Sequence, residues 1–234
     1  MNKLLLECNE FFKDCGFIYA IGGGWAFDLF LNKKTRPHAD IDISIFDEDR
    51  KNIVEFMLNK GWNVYGPPKY LEQIVSSDDE LIYNRHAVWT IKPYSSLIKL
   101  KPETGKENIY THEVLHHEQL DFDFIEIIFN KQENGKFIFD SFISQDNDIT
   151  REVDKAILYN NGVPYMAPEI MLFIISNPGY MDSVYHKEKN QADFDSAAPF
   201  LPKESREWLI NAFETAYPKG HRRLEQLKYG EKYV

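Results

Sequence analysis

Three consecutive glycines, Gly22–Gly24, stand between the short apolar run FIYAI (17–21) and the stretch GWAFDLFLNK. A run of strand formers, a glycine turn and a helical pattern make a strand–turn–helix unit. Pro37 then stops the helical pattern, and HADIDISIF alternates Ile41, Ile43 and Ile45 with Asp40, Asp42 and Ser44, which reads as a strand with one buried face. Such a unit commits the chain to a sheet with a helix packed on it. It also places freed backbone N–H groups at a helix start, where the helix dipole favours an anion and glycine lets a phosphate approach closely.

The rest of the first third repeats this alternation. Residues 3–15 carry Leu5, Cys8, Phe12 and Cys15 at helical spacing and Gly16 closes them; EDRKNIVEFMLNKGW reads as a second crossover helix ended by Gly61, and WNVYG as the next strand. In the middle, AVWTIK (87–92) and QLDFDFIEIIFN (119–130) read as strands, and NKQENG joins the second of these to KFIFDSFI as a hairpin. From Pro164 onward the helical period dominates, in APEIMLFIIS, QADFDSAAPFL and PKESREWLINAFETAY. The shift predicts a mixed α/β domain over residues 1–150 and a small helical domain over 151–234. A ligand is expected in the cleft between them, where small substrates usually bind.

Charge and length narrow the class. A chain of 234 residues can build a core without disulfides. Cys8 and Cys15 lie seven apart on one helix, too far to be bridged, so they read as free thiols. With 37 acidic against 27 basic residues the net charge is −10, which repels a nucleic-acid backbone and suits a neutral or cationic small substrate. No apolar run is long enough to span a bilayer, and MNKLLLECNEFFKDCGF lacks a secretory signal's apolar region, so a cytoplasmic protein is expected.

Asp40 and Asp42, two apart on a strand, project from one face and can share hard cations through oxygen. An isolated Asp-x-Asp is more often a solvated strand face, but the preceding glycine turn supplies the other half of what a metal-chelated triphosphate requires. Arg36 and His38, just before the acids, could add positive charge there.

The stretch GGGWAFDLFLNKKTRPHADIDI resembles the signature of the aminoglycoside and lincosamide nucleotidyltransferases, a branch of the polymerase-beta-type nucleotidyltransferase superfamily. Gly22, Gly23, Gly24, Trp25, Arg36, His38, Asp40 and Asp42 meet that pattern. The segments GVPYMAPEIMLF and KNQADF also look like relatives' C-terminal segments. The resemblance implies a nucleotidyltransferase fold, a mixed sheet flanked by helices plus a small helical C-terminal domain. It implies transfer of a nucleoside monophosphate, AMP from ATP, to a hydroxyl of a small cationic molecule such as an aminoglycoside antibiotic, with pyrophosphate released. Two Mg²⁺ ions would be held by Asp40, Asp42 and a third acid.

For that third acid the candidates are Asp121, Asp123 and Glu126. Glu126, apolar on both sides in FIEIIF, is favoured because an ionised carboxylate there is expensive without a cation; strand alternation puts the two aspartates on the other face. Glu169, in the helix start APEIMLF, is a candidate catalytic acid or base, although acids favour first turns for structural reasons alone. Lys189 matches a family lysine and could reach the phosphates. Trp25 could face a base or acceptor, whereas Tyr19, Trp62, Trp89 and Trp208 read as core.

Two alternatives belong to other classes. One is a nucleotide-binding regulatory module that keeps the fold without turnover. The other is a zinc hydrolase, because residues 112–116, HEVLH, fit the pattern of two histidines four apart with a glutamate between them, His112, Glu113 and His116. That chemistry needs a helix, yet QLDFDF follows at once.

Overall fold

The computed structural model describes residues 2–67, 70–116, 118–119, 121–139, 149–181 and 186–230. Helix α1 (Lys3–Phe12) leads into strand β1 (Tyr19–Ile21), helix α2 (Gly23–Leu31), strand β2 (Asp42–Phe46), helix α3 (Arg50–Asn59) and strand β3 (Asn63–Gly66), the alternation expected of the first third. Strands β4 (Leu71–Ile74), β5 (Ala87–Ile91), β6 (Ile98–Pro102), β7 (Ile109–Val114), β8 (Phe124–Glu133) and β9 (Lys136–Phe139) follow. Then come β10 (Ile149–Glu152), a short α4 (Val153–Ala156), β11 (Ile157–Asn160) and β12 (Val163–Met166). The chain ends in helices α5 (Pro168–Ile174), α6 (Pro178–Met181), α7 (Lys187–Ala197), α8 (Lys203–Ala216) and α9 (Arg222–Tyr229).

Two compact units divide the chain. One comprises Met1–Trp25, Arg36–Asn130 and Asn161–Pro164; the other comprises Ala26–Thr35, Lys131–Asn160 and Tyr165–Val234. Each is built from pieces distant in sequence.

In the first unit the strands lie in the order β1-β2-β8-β5-β3-β4-β7-β6. The sheet is mixed. Strands β2 and β8 run parallel, while β1 with β2 and β5 with β8 run antiparallel. Period-two alternation sets its faces: Ile41, Ile43, Ile45, Ile125 and Ile127 are almost fully buried, and Asp42, Ser44 and Glu126 turn to the half-buried opposite face. Helix α1 buries Leu5, Cys8 and Phe12, and Phe11 makes ring contacts with Phe12, Phe56, Trp62 and Phe122. Cys8 and Cys15 are free thiols, and burial pushes the Cys8 thiol above its usual range. A second cluster gathers Tyr65, Leu71, Ile91, Leu97, Ile98 and Phe124, with Trp89, Leu100 and Tyr110 packed against it.

Three expected boundaries move. Helix α1 ends at Phe12, before Cys15, and β2 starts at Asp42, so Asp40 precedes the strand. Strand β8 starts at Phe124 rather than Gln119, because Asp123 is drawn into the preceding loop: its Oδ2 accepts hydrogen bonds from the backbone N–H and hydroxyl of Ser96.

In the second unit the end of β8 pairs with β9 as an antiparallel hairpin, turned by Asn134 and Gly135, both at positive φ. Residues 140–143 of the expected KFIFDSFI strand lie outside the described residues. Strand β9 also pairs with β10. Phe173 makes ring contacts with Phe139, Trp208 and Phe213 that join the hairpin to α5 and α8. Helix α9, absent from the sequence reading, buries only Leu224, Leu227 and Arg223, so its apolar period is too sparse to read. Arg223 is 1% exposed and donates to the carbonyls of Ile175 and Asn190 and to the Ser176 hydroxyl. Among the described residues no helix is long and apolar enough to cross a membrane.

Candidate active site

The first of the three glycines makes a backbone link, and the other two answer steric demands. The Gly22 N–H donates to the Asp42 carbonyl at 2.8 Å, which joins the end of β1 to the start of β2. Gly23 opens α2 at φ +54°, and a Cβ there would lie 1.7 Å from Asp42 Oδ2. At Gly24 a Cβ would lie 2.4 Å from His38 Nδ1 and 2.6 Å from an Arg36 Nη. The first turn of α2 is therefore pressed against the side chains that follow it in sequence. Its leading N–H groups have no partner within the helix, which leaves partial positive charge there.

The acids converge on the same turn. In the parallel pairing of β2 with β8, Asp42 stands directly opposite Glu126, and the Glu126 N–H donates to the Ile41 carbonyl at 2.9 Å. Oxygens of Asp40, Asp42 and Glu126 all lie within 4.8 Å of one another, the one grouping of potential metal ligands among the described residues. All three are half-buried. Three anions so close repel unless a cation lies among them, and oxygen donors suit hard divalent ions such as Mg²⁺. A ring of carboxylates beside a bare glycine turn fits a metal-chelated phosphate group.

Around this centre the other expected residues take distinct places. Trp25 is 3% exposed; its indole N–H donates to the Asp40 carbonyl at 2.7 Å and its ring lies 4.3 Å from that of His38. His38 is 4% exposed, and its carbonyl accepts from the Gln119 N–H. Both rings are packed into the turn, and the Trp25 indole ties down the loop that carries Asp40; the sequence reading had Trp25 near a base or acceptor and His38 adding positive charge near the phosphates. Arg36, half-buried, donates to the Pro37 carbonyl. Asp121 is exposed in the loop before β8, and Asp123 is bound to Ser96, so neither joins the acid cluster.

Two candidates lie in the second unit. Glu169, 1% exposed in α5, pairs with Arg151 at 2.7 Å; Arg151 is itself 8% exposed and reaches Glu204 at 3.5 Å. That buried pair gives Glu169 a structural task. Lys189 is exposed on α7.

The zinc motif fails on geometry. His112 and Glu113 are consecutive residues of β7, so they point to opposite faces, and His116 lies beyond the strand, exposed. Glu113 pairs with Lys101 at 2.8 Å, and the His112 ring packs on Trp89 at 5.0 Å. The helix that would turn both imidazoles to one metal is a strand.

One residue at the centre escaped the sequence reading. Trp89 was assigned to the core, but its indole N–H donates to Glu126 Oε1 at 3.2 Å. Only the cross-strand pairing of β5 with β8 brings the two together, and no local pattern signals it.

The family model described as aminoglycoside-2''-adenylyltransferase matches residues 4–135, more than half the chain. None of the curated proteins matches in sequence. Among solved structures, the lincosamide antibiotic adenylyltransferase LnuA with lincomycin bound is 13% identical, with 86% of this chain and 98% of that one covered at a TM-score of 0.48. ANT(2")-Ia in complex with adenylyl-2"-tobramycin is 15% identical, covering 93% and 99% at a TM-score of 0.48. An antigenic nucleotidyltransferase-like protein from Paracoccidioides brasiliensis is 16% identical, covering 93% and 89% at 0.42. Because the matched stretch contains the glycine turn and all three clustered acids, it spans the whole of the candidate centre, and the chain belongs to the aminoglycoside-2''-adenylyltransferase family.

Proposed function

We propose that this chain transfers AMP from ATP to a hydroxyl of a small cationic acceptor of the aminoglycoside type, releasing pyrophosphate. The convergence of Asp40, Asp42 and Glu126 beside the Gly22–Gly24 turn carries the reading. The acids are the residues that would hold Mg²⁺. Such ions, when bound, neutralise charge on the attacking and leaving oxygens of an in-line displacement. The chain's own part is positioning: the bare backbone of the turn admits the β and γ phosphates, and the first N–H groups of α2 point their positive ends at them. Arg36, against Gly24, adds positive charge on the same side. Trp25 and His38 hold the Asp40 loop so that the acid geometry is set before substrate arrives. The net charge of −10 favours a cationic acceptor over a polyanionic one.

The test is pyrophosphate release from ATP and Mg²⁺ with a panel of aminoglycosides and lincosamides. Activity with at least one acceptor, lost in Asp42→Asn, is expected. Undiminished release in Asp42→Asn removes the reading, and tight ATP binding without release for any acceptor favours a regulatory module.

A further inference from the structure

Glu126 is the acid contributed from farthest along the sequence, and a neighbour across the sheet bonds to its carboxylate. Across the sheet, β5 runs antiparallel to β8 and sets Trp89 directly opposite Glu126, which itself stands opposite Asp42. The three side chains therefore form a row on one face. Tryptophan has a single donor, and here it is directed at Glu126 Oε1 at 3.2 Å. The body of the ring is held: Phe124 meets it edge-on at 5.4 Å and His112 at 5.0 Å, and the whole packs against the cluster of Tyr65, Leu71, Ile91, Leu97 and Ile98. A donor whose rotamer is locked by a core does not need to be reorganised when the carboxylate binds a ligand.

We propose that Trp89 is a positioning residue for the metal centre, fixing the rotation of the Glu126 carboxylate so that it faces Asp40 and Asp42. This rests on the metal-dependent reading above. Outer partners that orient a ligating carboxylate change metal affinity by about 10–100-fold when removed. Trp89→Phe keeps an aromatic ring in the cluster and removes the N–H together with the rest of the indole's second ring.

Mn²⁺ binding to the full chain without nucleotide, followed by electron paramagnetic resonance, separates the possibilities, with thermal melting as control. Wild type should bind, Asp42→Asn should not, and Trp89→Phe should bind about 10–100-fold more weakly while its melting curve shows it folded at the assay temperature. Trp89→Phe binding as tightly as wild type, while Asp42→Asn does not bind, overturns the role of Trp89 and leaves the metal centre standing. Equal binding in Asp42→Asn overturns the metal centre itself. A lower melting temperature with unchanged Mn²⁺ affinity would mark Trp89 as packing only and also overturn the proposal. Should Trp89→Phe not fold, the wild-type protein decides: on Mg²⁺ titration the Trp89 indole N–H resonance must shift with the occupancy of the site, and an unmoved resonance refutes the coupling.

Discussion

Replacing Gly23 with alanine tests the steric core of the site. The added carbon would lie 1.7 Å from Asp42 Oδ2 and 2.8 Å from its Cγ, in a residue at φ +54°. Nonbonded heavy atoms settle at about 3.5–4.0 Å, so the carboxylate or the start of α2 must shift by roughly 2 Å. The left-handed conformation adds about 1–2 kcal/mol of strain for alanine. A displacement of about 1 Å can lower a rate about 100-fold, so kcat/KM for the proposed adenylyl transfer should fall at least ~100-fold, or about 2.7 kcal/mol of transition-state stabilisation. The strain alone should lower Tm by about 2–8 °C. Gly22→Ala is the matched control, since its Cβ would meet Asp42 Cβ at 3.4 Å and Ser44 Oγ at 3.6 Å, ordinary contacts; its loss should stay under about tenfold. Pyrophosphate release at saturating Mg²⁺, with melting curves for both variants, measures this. Near-wild-type activity in Gly23→Ala, or equal losses in the two variants, would show that the closeness of the turn to Asp42 does not matter.

Glu169→Gln should destabilise the protein by about 3–5 kcal/mol in denaturant unfolding, because it strips the buried Arg151 of its closest anion, whereas Glu204→Gln, at an exposed partner, should cost far less. Equal effects would mean that burial does not govern the pair. Trp25→Phe leaves the Asp40 carbonyl without its indole donor and should lower both stability, by about 1–3 kcal/mol, and turnover; unchanged kinetics would dissociate Trp25 from the site. His221 is held below its ordinary pKa of 6.5, chiefly by burial, with its Nε2 on the Ser176 carbonyl and its Nδ1 accepting from the Arg223 N–H. Below pH 6.5 the unfolded chain takes up the proton first, so stability is full above that pH and falls as the pH drops toward the lower folded-state pKa. Unfolding curves of His221→Gln should lack that part of the pH dependence, and identical slopes in the two proteins would refute the assignment.

The sequence by itself determined the local parts of this protein. Backbone sterics and side-chain period act over a few residues, so the order from α1 to β3, the glycine turn opening α2 and the Ile41–Ile43–Ile45 face were all legible. Glu126 was legible too, because a carboxylate inside an apolar strand is costly unless something uses it. Tertiary structure decided what depends on which strands become neighbours. Inserting β8 between β2 and β5 sets Glu126 across from Asp42 on one side and Trp89 on the other. Burial of Asp123 against Ser96 moves the start of that strand past both aspartates, pairing with β6 puts His112–Val114 in a strand, and enclosure turns Glu169 into a partner for Arg151. Those outcomes follow from hydrogen bonds and burial between segments far apart in the chain, and no short window of residues carries that energy.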